Sequence, residues 1–401
     1  MKDRLTEIRV RGLRSLDDLV LRIGKLTVLI GDNGAGKSSI IEACELLRKA
    51  ANPNFLQEFN SIHGGFSTLG RHGCREITLG ARASGPAGDL DYELTLAPDG
   101  IVGERLDLGP LVEGKGPLHA ISRVGSNIKV FSQQESKLVQ CEVPPAQLAI
   151  GAFGALPPQR AIGRMAALLN GINVHIPFDV TPYWVARGVV RRHSPLRDPA
   201  FIEPAARLER QGANLASAWH ALLNAGDTTS REKLLDKVRL GLGYEVENIV
   251  TLAAPGGGQV SIAVKFRGIE KPVLSFGLSD GMLAYLAFVA LAQMNSDATL
   301  LAVDEPELHL HPDLLVRVTD MLEDLASEVP VVLATHSDRI LDALSNPAES
   351  AVLCSLDHER RTRTLRPDPQ ALESWLQKFR GLGELRSAGY QGIVMTKGED
   401  E

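Results

Sequence analysis

The sequence predicts an α/β fold class, because two kinds of apolar pattern occur in it. Three short, fully apolar runs have the composition of buried strands in a parallel sheet: residues 26–30, 300–303 and 331–334. Three further runs alternate apolar and polar residues, which is typical of antiparallel strands: residues 76–83, 90–97 and 101–108. We therefore expect a mixed or parallel core sheet, an antiparallel β subdomain and, from the composition of the middle of the chain, a helical lobe.

The residues between the first apolar run and the helical pattern at 38–51 match G-x-x-x-x-G-K-[ST] without a mismatch. Glycines in such a loop let backbone N–H groups surround phosphate oxygens at a helix N-terminus. Lys37 is expected to reach the β- and γ-phosphates, and the Ser38 hydroxyl to help hold Mg²⁺. The loop residues expected to bind a nucleotide are Asn33, Gly34, Ala35, Gly36, Lys37, Ser38 and Ser39.

Before this loop, residues 5–10 and 19–23 predict two strands on either side of a turn at 12–18. Arg14 lies in that turn, where it is either close to the nucleotide or an ordinary solvated residue, and the sequence leaves both open. After the loop, residues 52–74 are rich in Gly, Asn and His and predict a loop. Two more runs extend the antiparallel strands into a meander: residues 127–131 and 138–143.

From residue 144 to 243 the chain changes character, and prolines separate three helical stretches: residues 162–169, 215–223 and 233–240. No heptad pattern lasts more than a few turns, so we expect no long coiled coil. One basic cluster in this region is either a contact for nucleic-acid phosphates or a solvated loop: Arg187, Arg191, Arg192, His193 and Arg197. The net charge of −6 favours the solvated loop. Residues 245–252 and 259–266 then predict a hairpin.

Acidic residues follow the second apolar run directly. Two adjacent carboxylates at the end of a buried strand are costly to desolvate unless a cation compensates them. Asp304 is therefore expected to hold Mg²⁺, and Glu305 to activate the attacking water. His336 follows the third apolar run, and parallel strands bring their carboxyl ends to one edge, so we expect it close to a γ-phosphate. His309 and His311 form H-x-H without a third ligand at suitable spacing, which argues against zinc.

A second helix start of the same chemical kind occurs at residues 278–281 (LSDG), before the apolar helix predicted at 282–294. Ser279 is a good N-cap, and a helix N-terminus attracts anions. Residues 274–277 (LSFG) also fit the pattern L-S-x-G. We prefer residues 278–281, because the helical run begins directly after them. One nucleotide needs only one phosphate-binding helix N-terminus. The second helix N-terminus is explained if it binds a nucleotide that another subunit holds.

These motifs in this order resemble the ATP-binding cassette (ABC) ATPase heads of the RecF/SMC/OLD class, and most of all the compact standalone ATPases filed with AAA-type proteins. The matching stretches are residues 13–15, 31–39 as Walker A, 278–281 as signature, 301–312 as Walker B, 335–337 with the switch histidine, and 383–389 near the end. The resemblance implies a P-loop NTPase fold of the ABC-head type, ATP and Mg²⁺ as ligands, and a homodimer with ATP sandwiched between the two heads.

Carried over to this sequence, the resemblance implies a role for each motif residue. Lys37, Glu305 and His336 would act in catalysis, and Ser38 and Asp304 would bind Mg²⁺. Ser279 and Gly281 would clamp the γ-phosphate of the partner's ATP, and Arg14 would touch nucleotide by similarity to SMC-like heads. Four residues are candidates for the Q-loop glutamine: Gln57, Gln133, Gln134 and Gln159.

The expected domains are an N-terminal half of the ATPase head (1–143), a helical lobe (144–244) and a C-terminal half of the head (245–401). By analogy with the class, we expect an ATP-hydrolysing conformational switch in DNA repair or anti-phage defence. The alternative is an ATP-dependent scaffold or sensor with negligible turnover that recruits a separately encoded effector such as a nuclease. Nucleic acid remains a possible further partner.

The bulk composition supports a large globular protein. The chain has 401 residues, of which 44% are hydrophobic, so that a sizeable core is expected. Its four cysteines are scattered without a C-x-x-C pair, which is typical of reduced cytosolic proteins. The N-terminal residues contain no apolar signal-peptide region and no run reaches 18 apolar residues, so we expect a cytoplasmic protein without a membrane partner.

Overall fold

The protein is described by a computed structural model over residues 3–109, 118–132, 137–154, 160–181, 194–204, 207–253, 257–294, 297–376, 381–389 and 395–397. Within these ranges, no helix combines the length and the apolar composition that crossing a membrane requires.

The described strands are β1 (Arg4–Leu13), β2 (Leu16–Arg22), β3 (Leu26–Gly31), β4 (Ile77–Ser84), β5 (Leu90–Ala97), β6 (Gly100–Leu108), β7 (Leu118–Val124), β8 (Asn127–Ser132), β9 (Lys137–Cys141), β10 (Ile172–His175), β11 (Ala200–Phe201), β12 (Val246–Ala253), β13 (Gln259–Phe266), β14 (Val273–Leu274), β15 (Leu300–Asp304), β16 (Val331–Thr335), β17 (Ala351–Leu356), β18 (Thr362–Pro367) and β19 (Met395–Lys397).

The described α-helices are α1 (Lys37–Ala50), α2 (Phe55–Ser61), α3 (Gly65–Leu69), α4 (Ala149–Phe153), α5 (Arg160–Asn170), α6 (Leu215–Asn224), α7 (Thr228–Leu242), α8 (Asp280–Gln293), α9 (Pro312–Ala326), α10 (Asp338–Ala343), α11 (Pro347–Ser350), α12 (Pro369–Leu376) and α13 (Leu382–Ser387).

A seven-stranded mixed sheet in the order β10-β15-β16-β3-β17-β18-β19 carries the phosphate-binding loop. Its first five strands are parallel, and β18 and β19 are antiparallel additions. In the register of these strands, Asp304 lies opposite Ala334 and Thr335 lies opposite Ile30. The carboxyl ends of β3, β15 and β16 therefore meet at one edge, as the three apolar runs predict.

The strands of this sheet supply two hydrophobic cores, because successive side chains point to opposite faces. Leu29 of β3 packs in the core that includes α1, α5 and the antiparallel sheet. Its neighbours Val28 and Ile30 pack in the core that includes α6, α8 and α9. Burial on both faces explains why these strands have no polar alternation in the sequence.

The predicted meander is confirmed as an antiparallel sheet of eight strands in the order β2-β1-β4-β5-β6-β7-β8-β9. The predicted hairpin is also confirmed, since β12 and β13 pair antiparallel. Gly256 in its connection lies outside the described residues. In the described part of residues 144–243, helices α5, α6 and α7 lie near their predicted positions, and helix α4 and strands β10 and β11 were not predicted. Strand β10 joins the core sheet beside β15, and β11 pairs antiparallel with β13.

Two local predictions were wrong. Residues 52–74 contain helices α2 and α3 instead of a continuous loop. Phe55 and Phe59, four residues apart, are fully buried and anchor α2, although Asn and Gly around them suggest a loop. The turn predicted at 12–18 is also much tighter, because β1 and β2 pair up to Leu13 opposite Leu16.

Candidate functional site

The phosphate-binding loop joins the end of β3 to the start of α1, and two of its glycines have no substitute. A Cβ on Gly31 would lie 2.0 Å from the carbonyl oxygen of Cys354. Gly36 has a φ of 95°, and a Cβ there would lie 2.2 Å from Thr362 Oγ1. The neighbouring Asn33 is exposed, whereas Ala35 and Ser39 are buried. A backbone carbonyl beside Gly31 and side-chain hydroxyls beside Gly36 thus constrain the shape of the loop.

Thr362 of β18 supports this loop, a role for which the sequence contains no signal. Its hydroxyl lies 2.8 Å from Ser15 Oγ and 3.0 Å from the carbonyl oxygen of Ala35, to which it donates. The turn between β1 and β2 is therefore attached to the phosphate-binding loop through Thr362.

Lys37 is buried at the start of α1, with 4% of its surface exposed. Its ammonium donates to the carbonyl oxygens of Gly31 at 2.7 Å and Asp32 at 3.0 Å, and lies 3.3 Å from His336 Nδ1. Burial lowers the pKa of Lys37, and nearby acidic groups oppose this only in part. A desolvated ammonium bonded to carbonyls and an imidazole attracts an anion such as a phosphate.

Asp304 ends β15 opposite the first turn of α1 and accepts a hydrogen bond from the Ser38 hydroxyl. Within the described residues, its Oδ1 is buried and has no hydrogen-bond partner. Burial raises the pKa of Asp304, and the carboxylates of Glu305 and Glu307 raise it further. A buried carboxylate with an unpaired oxygen beside a hydroxyl fits the oxygen ligands that Mg²⁺ prefers.

Glu305 and His336 face each other at the same edge. Glu305 Oε1 lies 3.7 Å from His336 Nε2, and both side chains are about one-third exposed, at 34% and 33%. The backbone of Glu305 has a φ of 47°, a strained value for a residue with a side chain, and its N–H donates to the carbonyl oxygen of Ala334. This backbone turn directs the carboxylate of Glu305 towards the end of β16.

Glu307 is a further residue of this edge for which the sequence predicted no role. Its Oε1 accepts the backbone N–H of His336 at 2.7 Å, and its Oε2 is buried without a partner in the described part of the chain. Glu307 therefore connects the segment after β15 to the segment after β16. The sequence did contain a signal for this residue. The stretch D-E-P-E at 304–307 has a third carboxylate in addition to the two to which a role was assigned.

Ser279 caps α8, where its hydroxyl accepts the N–H of Met282 at 3.3 Å, as its predicted N-cap role requires. It is exposed, whereas Ser275 of the alternative match is only 1% exposed and donates to the carbonyl oxygen of Arg197. Gly281 lies against another segment, since a Cβ there would be 3.1 Å from the carbonyl oxygen of His309. In the described residues, no hydrogen bond or ion pair joins Ser279 to the phosphate-binding loop.

Arg197 holds the segment before α8 in place. Its guanidinium is 3% exposed and donates to the carbonyl oxygens of Val180, Ser275, Phe276 and Leu278, and it pairs with Asp280 at 2.5 Å. For Arg197 both interpretations of the basic cluster are therefore wrong, because this residue is neither a contact for nucleic-acid phosphates nor part of a solvated loop: it is buried and its donors face inward. The other members of that cluster lie outside the described residues: Arg187, Arg191, Arg192 and His193.

Arg14 lies in the tight turn between β1 and β2 with a φ of 49°. Its guanidinium is 2.9 Å from Glu42 Oε2 of α1, and Glu42 also binds His63. The turn therefore lies against α1, the helix that follows the phosphate-binding loop. Of the candidate Q-loop glutamines, Gln57 lies on α2, and the others lie outside the described residues: Gln133, Gln134 and Gln159.

Two family models match parts of this chain. A family model described as "AAA ATPase domain" matches residues 1–79. A second model, described as "AAA domain, putative AbiEii toxin, Type IV TA system", matches residues 179–342. Both halves of the site, the phosphate-binding loop and the acidic strand end, thus fall in ATPase family models.

Similarity to known proteins also extends over most of the chain. An OLD nuclease from Thermus scotoductus is 22% identical over 406 aligned positions, covering 96% of this chain and 69% of the relative. The structure of an Smc head bound to the C-winged helix domain of ScpA is similar with a TM-score of 0.55 at 12% identity, covering 92% of this chain and 99% of that one. The Smc head from Pyrococcus furiosus bound to the C-terminal domain of ScpA gives 0.51 at 13% identity, covering 94% and 100%.

Proposed function

Taking the chain as an ATPase of the RecF/SMC/OLD class with the P-loop head fold, we propose that it binds and hydrolyses ATP with Mg²⁺ between two copies of itself. Each copy supplies one half of each pocket. The closed dimer forms with ATP and opens after hydrolysis, so that the protein works as a conformational switch.

The first half-pocket is at the edge formed by β3, β15 and β16. Lys37 would exchange its carbonyl partners for β- and γ-phosphate oxygens, which carry full negative charge and bind an ammonium more strongly. Ser38 and Asp304 would hold Mg²⁺, whose positive charge offsets the charge on the phosphates. The unpaired Oδ1 of Asp304 supports this assignment, because a buried carboxylate oxygen requires a partner.

Glu305 would take the proton of the attacking water as general base. It lies 3.7 Å from His336, whose imidazole in turn lies 3.3 Å from the Lys37 ammonium. A water held between Glu305 and the γ-phosphate would therefore lie next to the His336 imidazole and the Lys37 ammonium. His336 would contact the γ-phosphate and respond to its loss.

The observation that carries the dimer proposal is the position of Ser279. Its hydroxyl and the free N–H groups of the first turn of α8 form an anion-binding helix N-terminus that is exposed to solvent. In the described residues, no bond links it to the phosphate-binding loop of its own chain. The γ-phosphate that Ser279 and Gly281 would bind is then that of a second copy.

We further propose that the switch acts on a separately encoded effector in DNA repair or in defence against phage. The relative named as an OLD nuclease supports a link to nucleic-acid cleavage, and the Smc heads bound to ScpA support a second protein as partner. This part of the proposal rests on the class alone.

Mixing two inactive variants tests the shared pocket. Lys37→Ala removes one half-pocket and Ser279→Arg blocks the other, so each variant alone should lose ATP turnover. In an equal mixture, half of the dimers would be mixed, and each would keep one intact pocket, so about a quarter of wild-type turnover should return. A mixture that stays as inactive as the two variants would contradict a pocket shared between copies.

A control confirms that the variants fail for the intended reason. Ser327→Arg places the same side chain at an exposed site after α9. It should retain full turnover alone, and its mixture with Lys37→Ala should show only its own activity, without a gain from shared pockets.

A further inference from the structure

Helix α13, close to the end of the described chain, brings a second cation to the phosphate-binding loop. The Arg386 guanidinium lies 2.5 Å from Asp338 Oδ1 and 3.4 Å from Asp32 Oδ1. Asp32 is the second residue of the loop, and its carbonyl oxygen binds Lys37 at 3.0 Å. Asp338 lies two residues after His336. Arg386 thus touches both segments that surround Lys37.

Arg386 is held firmly by Asp338 and only weakly by Asp32. Asp338 also accepts the Ser387 hydroxyl at 2.7 Å, and Asp342 accepts the backbone N–H of Gly383 at 2.7 Å, so α13 is docked on α10 by two carboxylates. The Asp32 side chain is instead 96% exposed, and a long ion pair at such a site contributes little. The contact with Asp32 is therefore the one that an incoming anion can replace.

Two cations at one loop repel each other unless an anion lies between them. A guanidinium binds phosphate oxygens through two parallel hydrogen bonds, and it does so more strongly than it binds an exposed carboxylate. These contacts favour a multiply charged anion at the loop.

On the basis of the proposed function, we propose that Arg386 binds the terminal phosphate of a nucleoside triphosphate held by its own chain. The guanidinium would leave Asp32 for the phosphate while Asp338 keeps it anchored. Because Asp338 starts α10, directly after the switch histidine, the contact would join α13 to the triphosphate state. A diphosphate has no group at that position and would leave Arg386 on Asp32.

Calorimetric titration of the full chain with adenylyl imidodiphosphate and with ADP, both in Mg²⁺, tests this assignment. Arg386→Ala should weaken the triphosphate analogue about 10- to 100-fold, the loss expected for one charged hydrogen bond, and leave ADP nearly unchanged. Arg386→Lys should recover part of the lost affinity, because it keeps the charge without the fork. Equal weakening of both ligands, or no weakening, would overturn the assignment.

The matched control is Ser387→Ala, which removes the other contact of α13 with Asp338 and keeps the guanidinium. It should leave both affinities as in the wild type. If Ser387→Ala reproduced the effect of Arg386→Ala, docking of α13 and not a phosphate contact would be responsible, and the assignment would be wrong.

Two further measurements separate this inference from the proposed function. Lys37→Ala should lose both ligands, and wild-type protein that binds neither would refute the nucleotide site itself along with the role of Arg386. Hydrogen exchange at residues 381–389 should slow with the triphosphate analogue but not with ADP, and Arg386→Ala should abolish the difference. A wild-type protein that binds the analogue with unchanged exchange there would refute the link to α13 alone.

Discussion

The Lys37 ammonium lies 3.3 Å from Nδ1 of His336, a residue 299 positions later in the chain. The contact exists because β3 and β16 are parallel neighbours with Ile30 opposite Thr335, so that both residues emerge at the same edge. A phosphate at this edge would meet the lysine and the histidine together.

Lys37→Ala should lower ATP turnover by at least about 100-fold, because it removes a cation aimed at the charge of the transferred group. Phosphate release under saturating ATP and Mg²⁺ measures this. Lys25→Ala, at an exposed position before β3, is the control and should keep full turnover. If wild type and Lys37→Ala released phosphate equally slowly, a scaffold that binds ATP without hydrolysing it would be the better hypothesis.

Glu305→Gln should trap a dimer in the presence of ATP and Mg²⁺. The amide keeps the shape of the side chain but cannot take the proton of water, so the closed state persists. Light scattering after gel filtration should show twice the monomer mass of 43.3 kDa with ATP and the monomer mass without it. Glu328→Gln, exposed after α9, should show no such shift, and a monomeric Glu305→Gln protein at saturating ATP would count against the sandwich.

Arg197→Ala should destabilise the segment before α8, because four carbonyl oxygens and the Asp280 carboxylate lose their common donor. Each buried carbonyl oxygen left without its donor costs about 1–3 kcal/mol, so the loss of unfolding free energy should reach about 3–5 kcal/mol. Denaturant unfolding measures the loss, and Arg267→Ala at an exposed position should change it by less than about 0.5 kcal/mol. A variant as stable as the wild type would show that the segment does not depend on this arginine.

His175 should make the protein sensitive to acid. It is completely buried, and burial lowers its pKa to about 3, with Arg210 and Arg207 adding to the effect and Glu45 opposing it. The unfolded histidine takes up a proton below about pH 6.5, whereas the folded one stays neutral down to about pH 3, so stability falls as the pH decreases between these values.

Between pH 7 and pH 5, protonation of His175 in the unfolded chain lowers the unfolding free energy by about 2 kcal/mol. His175→Leu should therefore lose about 2 kcal/mol less than the wild type over that interval in denaturant titrations. His358→Leu, at an exposed position, should follow the wild-type pH dependence. Parallel pH profiles for wild type and His175→Leu would contradict a neutral buried imidazole.

The central residues of the site were predictable, because they follow from short sequence motifs and from one rule of sheet topology. A glycine-rich loop after an apolar strand, and polar residues after two more such strands, place Lys37, Asp304 and His336 at a common edge of a parallel sheet. The supporting residues were not predictable in this way. Thr362 acts on Ala35 across 327 positions and Arg197 on Leu278 across 81, so neither has a motif or a periodicity of its own.

The strand that carries the phosphate-binding loop is near the beginning of the chain, yet both of its neighbours in the sheet come near the end. β3 pairs with β16 on one side and with β17 on the other. During synthesis on a ribosome, β3 therefore has neither of these neighbours to pair with until residues 331–335 have emerged, and it lacks the second until residues 351–356 follow. Assembly must wait for these distant pairings, which makes folding slow. A nascent chain would thus be unable to capture ATP until most of its length exists.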